Sequence, residues 1–230
     1  MTHLVGVDIG GTFTDLVGFD PNSGRIVFSK ARSTPRDLTA GIRACIERSH
    51  IPMHAIDTLF HGSTVVINAI IERRGAKTGL VTTRGFRDIL EIGRSNRPEN
   101  YDLFYRKPEP FVPRHLRFEV DERMGATGDV LTPLSMASLE TVATAARAAG
   151  IEALAVCFLH AYANPEHENR AREALERLLP GVFVCASNEV ACEWREFERT
   201  STTVLNAFVG PKVERYVATL EEAAKSEGFG

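Results

Sequence analysis

No apolar run in this 230-residue chain approaches the roughly 18 residues that a membrane-spanning helix needs, so no spanning helix is expected. The opening residues, Met1-Thr2-His3-Leu4, lack the basic segment and apolar stretch of a signal peptide, and the expected setting is the cytoplasm. Positive charge is not in excess: 27 Lys and Arg stand against 30 Asp and Glu, a formal net charge of -3. That balance gives no electrostatic case for a nucleic acid or a membrane surface as partner. Cysteine is scarce. Cys45, Cys157, Cys185 and Cys192 have no CxxC spacing, which argues against a zinc site and leaves buried reduced thiols as the expectation. There is no internal repeat and no low-complexity tract. With 43% hydrophobic and 25% charged residues, the chain is an ordinary globular sequence, long enough for one large domain or two small ones.

Against that background one stretch stands out, Val5-Gly6-Val7-Asp8-Ile9-Gly10-Gly11-Thr12-Phe13-Thr14-Asp15-Leu16-Val17. A short apolar run enters an acid, two glycines and two hydroxyls and then resumes alternation, which reads as strand, tight turn, strand. Gly10 and Gly11 permit positive φ and close approach, so that successive backbone N–H groups can cradle phosphate oxygens. Thr12 and Thr14 add hydroxyl donors. Asp8, at the strand end, is placed to hold Mg²⁺ through waters, because that ion takes one or two carboxylates plus substrate phosphates. No Gly-Lys-Ser/Thr follows, so the turn is not a P-loop. An ordinary glycine-rich β-turn with a capping Asp would use the same residues; the complete Asp-x-Gly-Gly-Thr-x-Thr-Asp run favours the anion cradle.

Farther along, Asp20-Pro21-Asn22-Ser23-Gly24 signals a turn into a third antiparallel strand over 25–30. Asp37 is placed to cap a helix through Leu38, Ile42, Cys45 and Ile46. A strand over 57–62, a helix over 65–74 stopped by Gly75 and a strand over 77–82 follow, an α/β alternation. At the strand-to-helix junction, His61, Ser63, Thr64 and Asn68 form a second candidate constellation. Hydroxyls at a helix N-terminus serve a negatively charged ligand or simply cap the helix. Residues 93–114 are punctuated by proline and carry Arg94 and Arg97, which suit a carboxylate or phosphate or else form a solvated rim. A hairpin is expected over 117–131, turning at Gly125 to Gly128. Then come a helix over 138–149, a strand over 153–159 ending at His160, a helix over 166–179 and a strand over 182–187. A long helical tract beginning near Glu193 closes the chain, with a break expected at Gly210-Pro211. Within it, the run Arg199 to Thr203 has more hydroxyls than a helix interior favours and points to packing against a partner segment or ligand.

Taken together, these residues resemble the N-terminal part of the hydantoinase A/oxoprolinase family. The resemblance rests on residues 7–15, His61-Gly62-Ser63-Thr64, Asn68-Ala69-Ile70-Ile71-Glu72-Arg73-Arg74-Gly75, residues 82–88, Gly93-Arg94 with Arg97-Pro98, Cys157-Phe158-Leu159-His160 and residues 198–207. It implies an α/β fold: the N-terminal lobe of an actin-like, ribonuclease H-type ATPase with a mixed sheet, a small α/β subdomain and a C-terminal helix. The implied domains are an N-terminal family region over 1–187, with a small lobe at about 135–187, and over 188–230 the helical start of a following domain. Members are several hundred residues long, so the chain reads as part of a longer polypeptide whose second lobe completes the nucleotide site. The implied chemistry is ATP-dependent opening of a cyclic amide of hydantoin or oxoproline type, through phosphorylation of its carbonyl oxygen. Alternatives are the ATP-using subunit of an acetone or acetophenone carboxylase, and a non-catalytic actin-like nucleotide-binding module. In the first reading Gly10, Gly11, Thr12 and Thr14 hold phosphates of ATP, Asp8 holds Mg²⁺, and Asp15 and His61 complete the catalytic set. Ser63, Thr64, Asn68, Arg94 and Arg97 are substrate candidates. The implied partner is a hydantoinase B-type subunit or domain in a hetero-oligomer. One departure is Ser63, where the family motif commonly carries a threonine; the hydroxyl is kept.

Overall fold

A computed structural model describes residues 3–34, 38–96, 99 and 101–226. The described residues fall into two compact units, one drawn from 1–74 and 212–230, the other from 75–211.

The first unit begins with three antiparallel strands, β1 (His3–Ile9), β2 (Phe13–Phe19) and β3 (Ile26–Arg32). Asp20 builds the second turn, accepting from the Asn22 amide at 2.9 Å and the Ser23 hydroxyl at 2.6 Å, with Gly24 at φ 71°. Helix α1 (Leu38–Ser49) crosses over, and β4 (Ile56–Ser63) returns parallel to β1, giving the order β3-β2-β1-β4. The sheet is therefore mixed, as expected. Asp37, the expected cap of α1, lies outside the described residues. Alternation along the strands turns Val5, Val7, Ile9, Leu16 and Ala31 onto Ile42, Cys45 and Ile46 of α1, with Tyr216 and Leu220 packed alongside. The opposite face is not covered by elements of this unit: Phe13, Val17, Ile26, Phe28 and Phe60 remain exposed on it.

Helix α2 (Val65–Ile71) is shorter than the expected 65–74. It ends through Glu72, and Arg73 takes the left-handed conformation at φ 51°. Gly75 is not the stop. It belongs to the second unit, where a Cβ at this position would sit 2.4 Å from the Phe208 carbonyl oxygen, so close backbone approach explains the glycine.

The second unit holds, in chain order, β5 (Thr78–Thr83), α3 (Ile89–Ile92), β6 (Arg117–Val120), β7 (Arg123–Met124), β8 (Val130–Thr132), α4 (Met136–Ala148), β9 (Ala153–Cys157), α5 (Glu166–Leu178), β10 (Phe183–Ala186), α6 (Ser187–Val190) and α7 (Glu196–Ser226), the last continuing into the first unit from Lys212. Its sheet has the order β10-β9-β5-β6 and every pairing is parallel. Strands β5 and β9 are buried at every position, the pattern of a parallel sheet covered on both faces. Ser135 caps α4, accepting from the Ser138 amide, and Gly150 follows the helix at φ 64°.

Three expectations change here. The hairpin over 117–131 shrinks to β7 and β8, because Arg117–Val120 pairs in parallel with β5 instead. Helix α7 runs through Pro211 without the expected break; burial of Val204, Ala207, Phe208 and Val209 just before the proline favours the continuous helix. Cys45, Cys157 and Cys185 are buried free thiols, but Cys192 is exposed. Among the described residues no helix is long and apolar enough to cross a membrane.

Candidate functional site

The β1–β2 turn is held by a residue that the sequence reading passed over. Ser33, just beyond β3, donates its hydroxyl to the Gly10 carbonyl at 2.8 Å and its amide to the Thr12 carbonyl at 2.9 Å. Its hydroxyl also meets Thr14 Oγ1 at 3.0 Å. A signal was available: Phe13 pairs with Arg32, so the next residue of the third strand falls beside the turn. With the carbonyls of Gly10 and Thr12 tied down, the N–H groups of Gly11 and Thr12 have no acceptor among the described residues.

Gly10 differs from the expectation. Its amide closes the turn on the Phe13 carbonyl at 2.9 Å, and neither Gly10 nor Gly11 adopts positive φ. Both glycines answer to close approach: a Cβ at 10 would lie 3.0 Å from the Phe13 oxygen, and one at 11 would lie 2.9 Å from Asn68 Nδ2. Thr14 is fully buried with its hydroxyl on Ser33, so it supports the turn and offers no free donor toward a ligand.

Register sets out the charged groups. Lys30, Asp15, Asp8 and Gly62 are successive cross-strand partners over β3, β2, β1 and β4, and so share the uncovered face at the turn end of the sheet. Lys30 Nζ lies 2.9 Å from Asp15 Oδ1 and 4.9 Å from the centre of the Phe13 ring. Asp8 is exposed and makes no hydrogen bond or ion pair with a described residue; beside it, Gly62 leaves the space a side chain would fill. Among the described residues no group of three His, Cys, Asp or Glu side chains gathers as a metal site.

Around the same turn, Thr64 donates its amide to the Ile9 carbonyl at 3.1 Å, and Asn68 Nδ2 lies 3.4 Å from Thr64 Oγ1. Ser63, one residue before the N-cap Thr64 of α2, accepts the Val65 amide at 3.2 Å. His61 pairs with Val7 and therefore faces the covered side of the sheet, away from Asp8, with Nε2 hydrogen-bonded to the Tyr216 hydroxyl. Burial holds its imidazole below the ordinary value of 6.5. Arg94 belongs to the second unit and pairs with Glu198, whose carboxyl the guanidinium holds below its usual range. Arg97 lies outside the described residues. Gly11, Thr12, Thr64 and Asn68 thus come together at the turn, with Asp8 and Asp15 on the adjacent face; His61 and Arg94 do not join them.

A family model for the hydantoinase/oxoprolinase N-terminal region matches residues 4–179. The chain belongs to this family. It is 41% identical over its whole length to an uncharacterized protein of Methanocaldococcus jannaschii, covering 34% of that protein. It is 37% identical over 95% of its length to the caprolactamase alpha subunit of Pseudomonas jessenii, covering 33% of it. The crystal structure of that ATP-dependent caprolactamase superposes with a TM-score of 0.88 at 35% identity, over 98% of this chain and 34% of the other. The nucleotide-free structure of acetone carboxylase, an ATP-dependent enzyme, gives 0.87 at 28% identity over the same shares. The chain spans about a third of the length of these relatives.

Proposed function

We infer that this chain is the phosphate-binding N-terminal part of an ATP-dependent cyclic amidase. The observation that carries this reading is the β1–β2 turn: two free amides, on Gly11 and Thr12, beside the unpartnered carboxylate of Asp8, in a chain similar to an ATP-dependent caprolactamase. The residues fit a nucleotide's terminal phosphates, since glycine at 11 and 62 keeps side chains out of the space where an anion would lie. ATP, when bound, would supply the phosphoryl group that makes an amide carbonyl susceptible to water.

In this reading the chain's own work is positioning and charge balance. Ser33 and Thr14 fix the turn so that the Gly11 and Thr12 amides need no reorganisation to accept an anion. Asp8 would hold Mg²⁺, which would supply charge neutralisation for the phosphates, and Lys30 neutralises Asp15, so that the two facing carboxylates do not both repel them. Asn68, held over Gly11 by Thr64, is the side-chain amide nearest the turn. The similarity to a caprolactamase alpha subunit supports a hydantoinase B-type partner subunit in a hetero-oligomer, and the use of ATP supports a cytoplasmic setting. On this reading the stretch 188–230 is the helical start of a following domain.

The acetone carboxylase likeness favours a second reading, the ATP-using subunit of a ketone carboxylase. Turnover of Mg-ATP by the full polypeptide with its partner separates the two. Stimulation by a lactam, hydantoin or oxoproline supports the amidase; stimulation by acetone or acetophenone alone replaces it with the carboxylase. Asp8→Ala abolishes turnover in either case, and an active Asp8→Ala enzyme removes the metal role.

A further inference from the structure

The second unit carries a buried cation that the phosphate turn does not use. The chain enters its parallel sheet in the middle, at β5, moves outward to β6, and then adds β9 and β10 on the other side. The order reverses between β5 and β9, and in open α/β sheets the crevice at the carboxyl ends of such a strand pair is where ligands lodge. Thr82 lies at that end of β5, and Cys157 and Phe158 at that end of β9. Between them is a cavity of about 10 Å³, room for a water-sized group, closed by Glu196, Arg199 and Thr200 from the first turn of α7.

Arg199 is the largest fully buried side chain of the described residues. One N–H of its guanidinium, on Nη2, reaches the Phe158 carbonyl at 2.7 Å, while Nε and Nη1 have no hydrogen-bond partner there. The other groups around it are committed. Glu168 is buried, but its oxygens already accept from the Phe158 amide, the Ser187 hydroxyl and the Asn188 amide. The Tyr162 ring lies 5.9 Å from the guanidinium carbon. The Cys157 thiol, pushed up to about 11 by burial, stays protonated and shares a 3.1 Å contact with the Thr200 hydroxyl. A fully buried guanidinium with two idle donors is an unstable arrangement without an acceptor, because unpaired buried N–H groups, charged ones above all, are expensive to maintain.

We propose that the crevice between β5 and β9 is a binding site for a planar oxyanion, a carboxylate or bicarbonate, one oxygen of which enters the cavity and accepts from an idle N–H of Arg199. Thr82, buried at the same cavity, supplies a hydroxyl. The cavity has room for a single oxygen, so the smaller body of a flat anion is favoured over tetrahedral phosphate in the crevice outside it.

The test is a titration of the ¹⁵N-labelled chain without nucleotide, reading the Arg199 Nε–Hε resonance as sodium acetate, sodium bicarbonate or inorganic phosphate is added at constant ionic strength. Acetate or bicarbonate is expected to move the resonance saturably, about tenfold more tightly than phosphate. A response to acetate alone assigns the site to a carboxylate borne on a larger molecule; a tighter response to bicarbonate assigns it to the free anion. Thr82→Val, which keeps the volume and leaves the Arg199 resonance in place, should weaken binding about threefold. A resonance unmoved by acetate and bicarbonate, meaning an ordered water only, overturns the proposal, and so does equal affinity for phosphate. Neither result touches the phosphate turn, since no nucleotide is present.

Discussion

The two sheets of this chain dispose of their faces in opposite ways. In the second unit, Leu80, Val81, Leu154 and Val156 are inaccessible on strands buried on both sides, and the buried Glu122 is paired inside the protein: it accepts from Thr83 and lies 2.7 Å from His167 Nδ1. In the first unit only one face is packed, and the other presents Phe28 at 74% and Phe60 at 61% exposure together with the Lys30-Asp15-Asp8 row. The comparison separates where this chain keeps its stability from where it keeps reactive groups open to ligand. Burial on both faces supports a rigid layer and hides the Arg199 guanidinium, whereas an open face leaves carboxylates and backbone amides within reach of solvent.

The largest contrast should come from the cores. Leu154→Ala, at a fully buried position of β9, is expected to lower unfolding stability by about 2–5 kcal/mol in urea denaturation. A loss below about 1 kcal/mol would mean that the second sheet is not the packed layer described.

Next in size is a local clash. Gly11→Ala puts a methyl 2.9 Å from the Asn68 amide nitrogen and is expected to destabilise by about 1 kcal/mol, while Gly11→Ala with Asn68→Ala recovers most of the loss. Strict additivity in that double-mutant cycle would show that the turn does not pack on Asn68.

A smaller effect depends on pH. Folding favours the neutral His61 imidazole, so its contribution is complete above pH 6.5 and is lost as pH falls through the lower folded-state value. Thermal melts between pH 7 and 5 should fall more steeply for the wild type than for His61→Gln. Equal slopes would assign the acid sensitivity to other groups.

Smallest of all should be Phe28→Ser on the open face, expected to change stability by no more than about 0.5 kcal/mol while lowering the binding of a hydrophobic dye. A destabilisation comparable to that of Leu154→Ala would show that something covers this face in the isolated chain.

The same contrast explains what could be read from sequence. The opening hairpin and its third strand were legible because a half-buried strand writes its environment as alternation, and Asp20-Pro21-Asn22-Ser23-Gly24 fixes the turn locally. Strand β6 was not, since nothing near Arg117–Val120 reports a parallel partner some 37 residues earlier, Leu80 opposite Arg117, and the glycines at 125 and 128 drew those residues into a hairpin. Pro211 misled for a related reason, because buried neighbours far along the chain outweighed its local preference. At the site, the glycines, Asp8 and Asn68 were visible as residue types, but which amide remained free depended on Ser33, whose role appears only when three strands are aligned. The facing direction of His61 follows from register with Val7 and had no signature within its own motif. Arg199 was marked by the hydroxyl-rich run that follows it; its burial was not.

Hydrogen-exchange mass spectrometry of the full polypeptide, with and without Mg-ATP, tests the central claim most directly by following a peptide over residues 9–14. Nucleotide should slow exchange at the Gly11 and Thr12 amides, with no comparable change at the Gly24 turn, and Asp8→Ala should remove the protection. Bound ATP with the exchange of Gly11 and Thr12 unchanged would contradict the account.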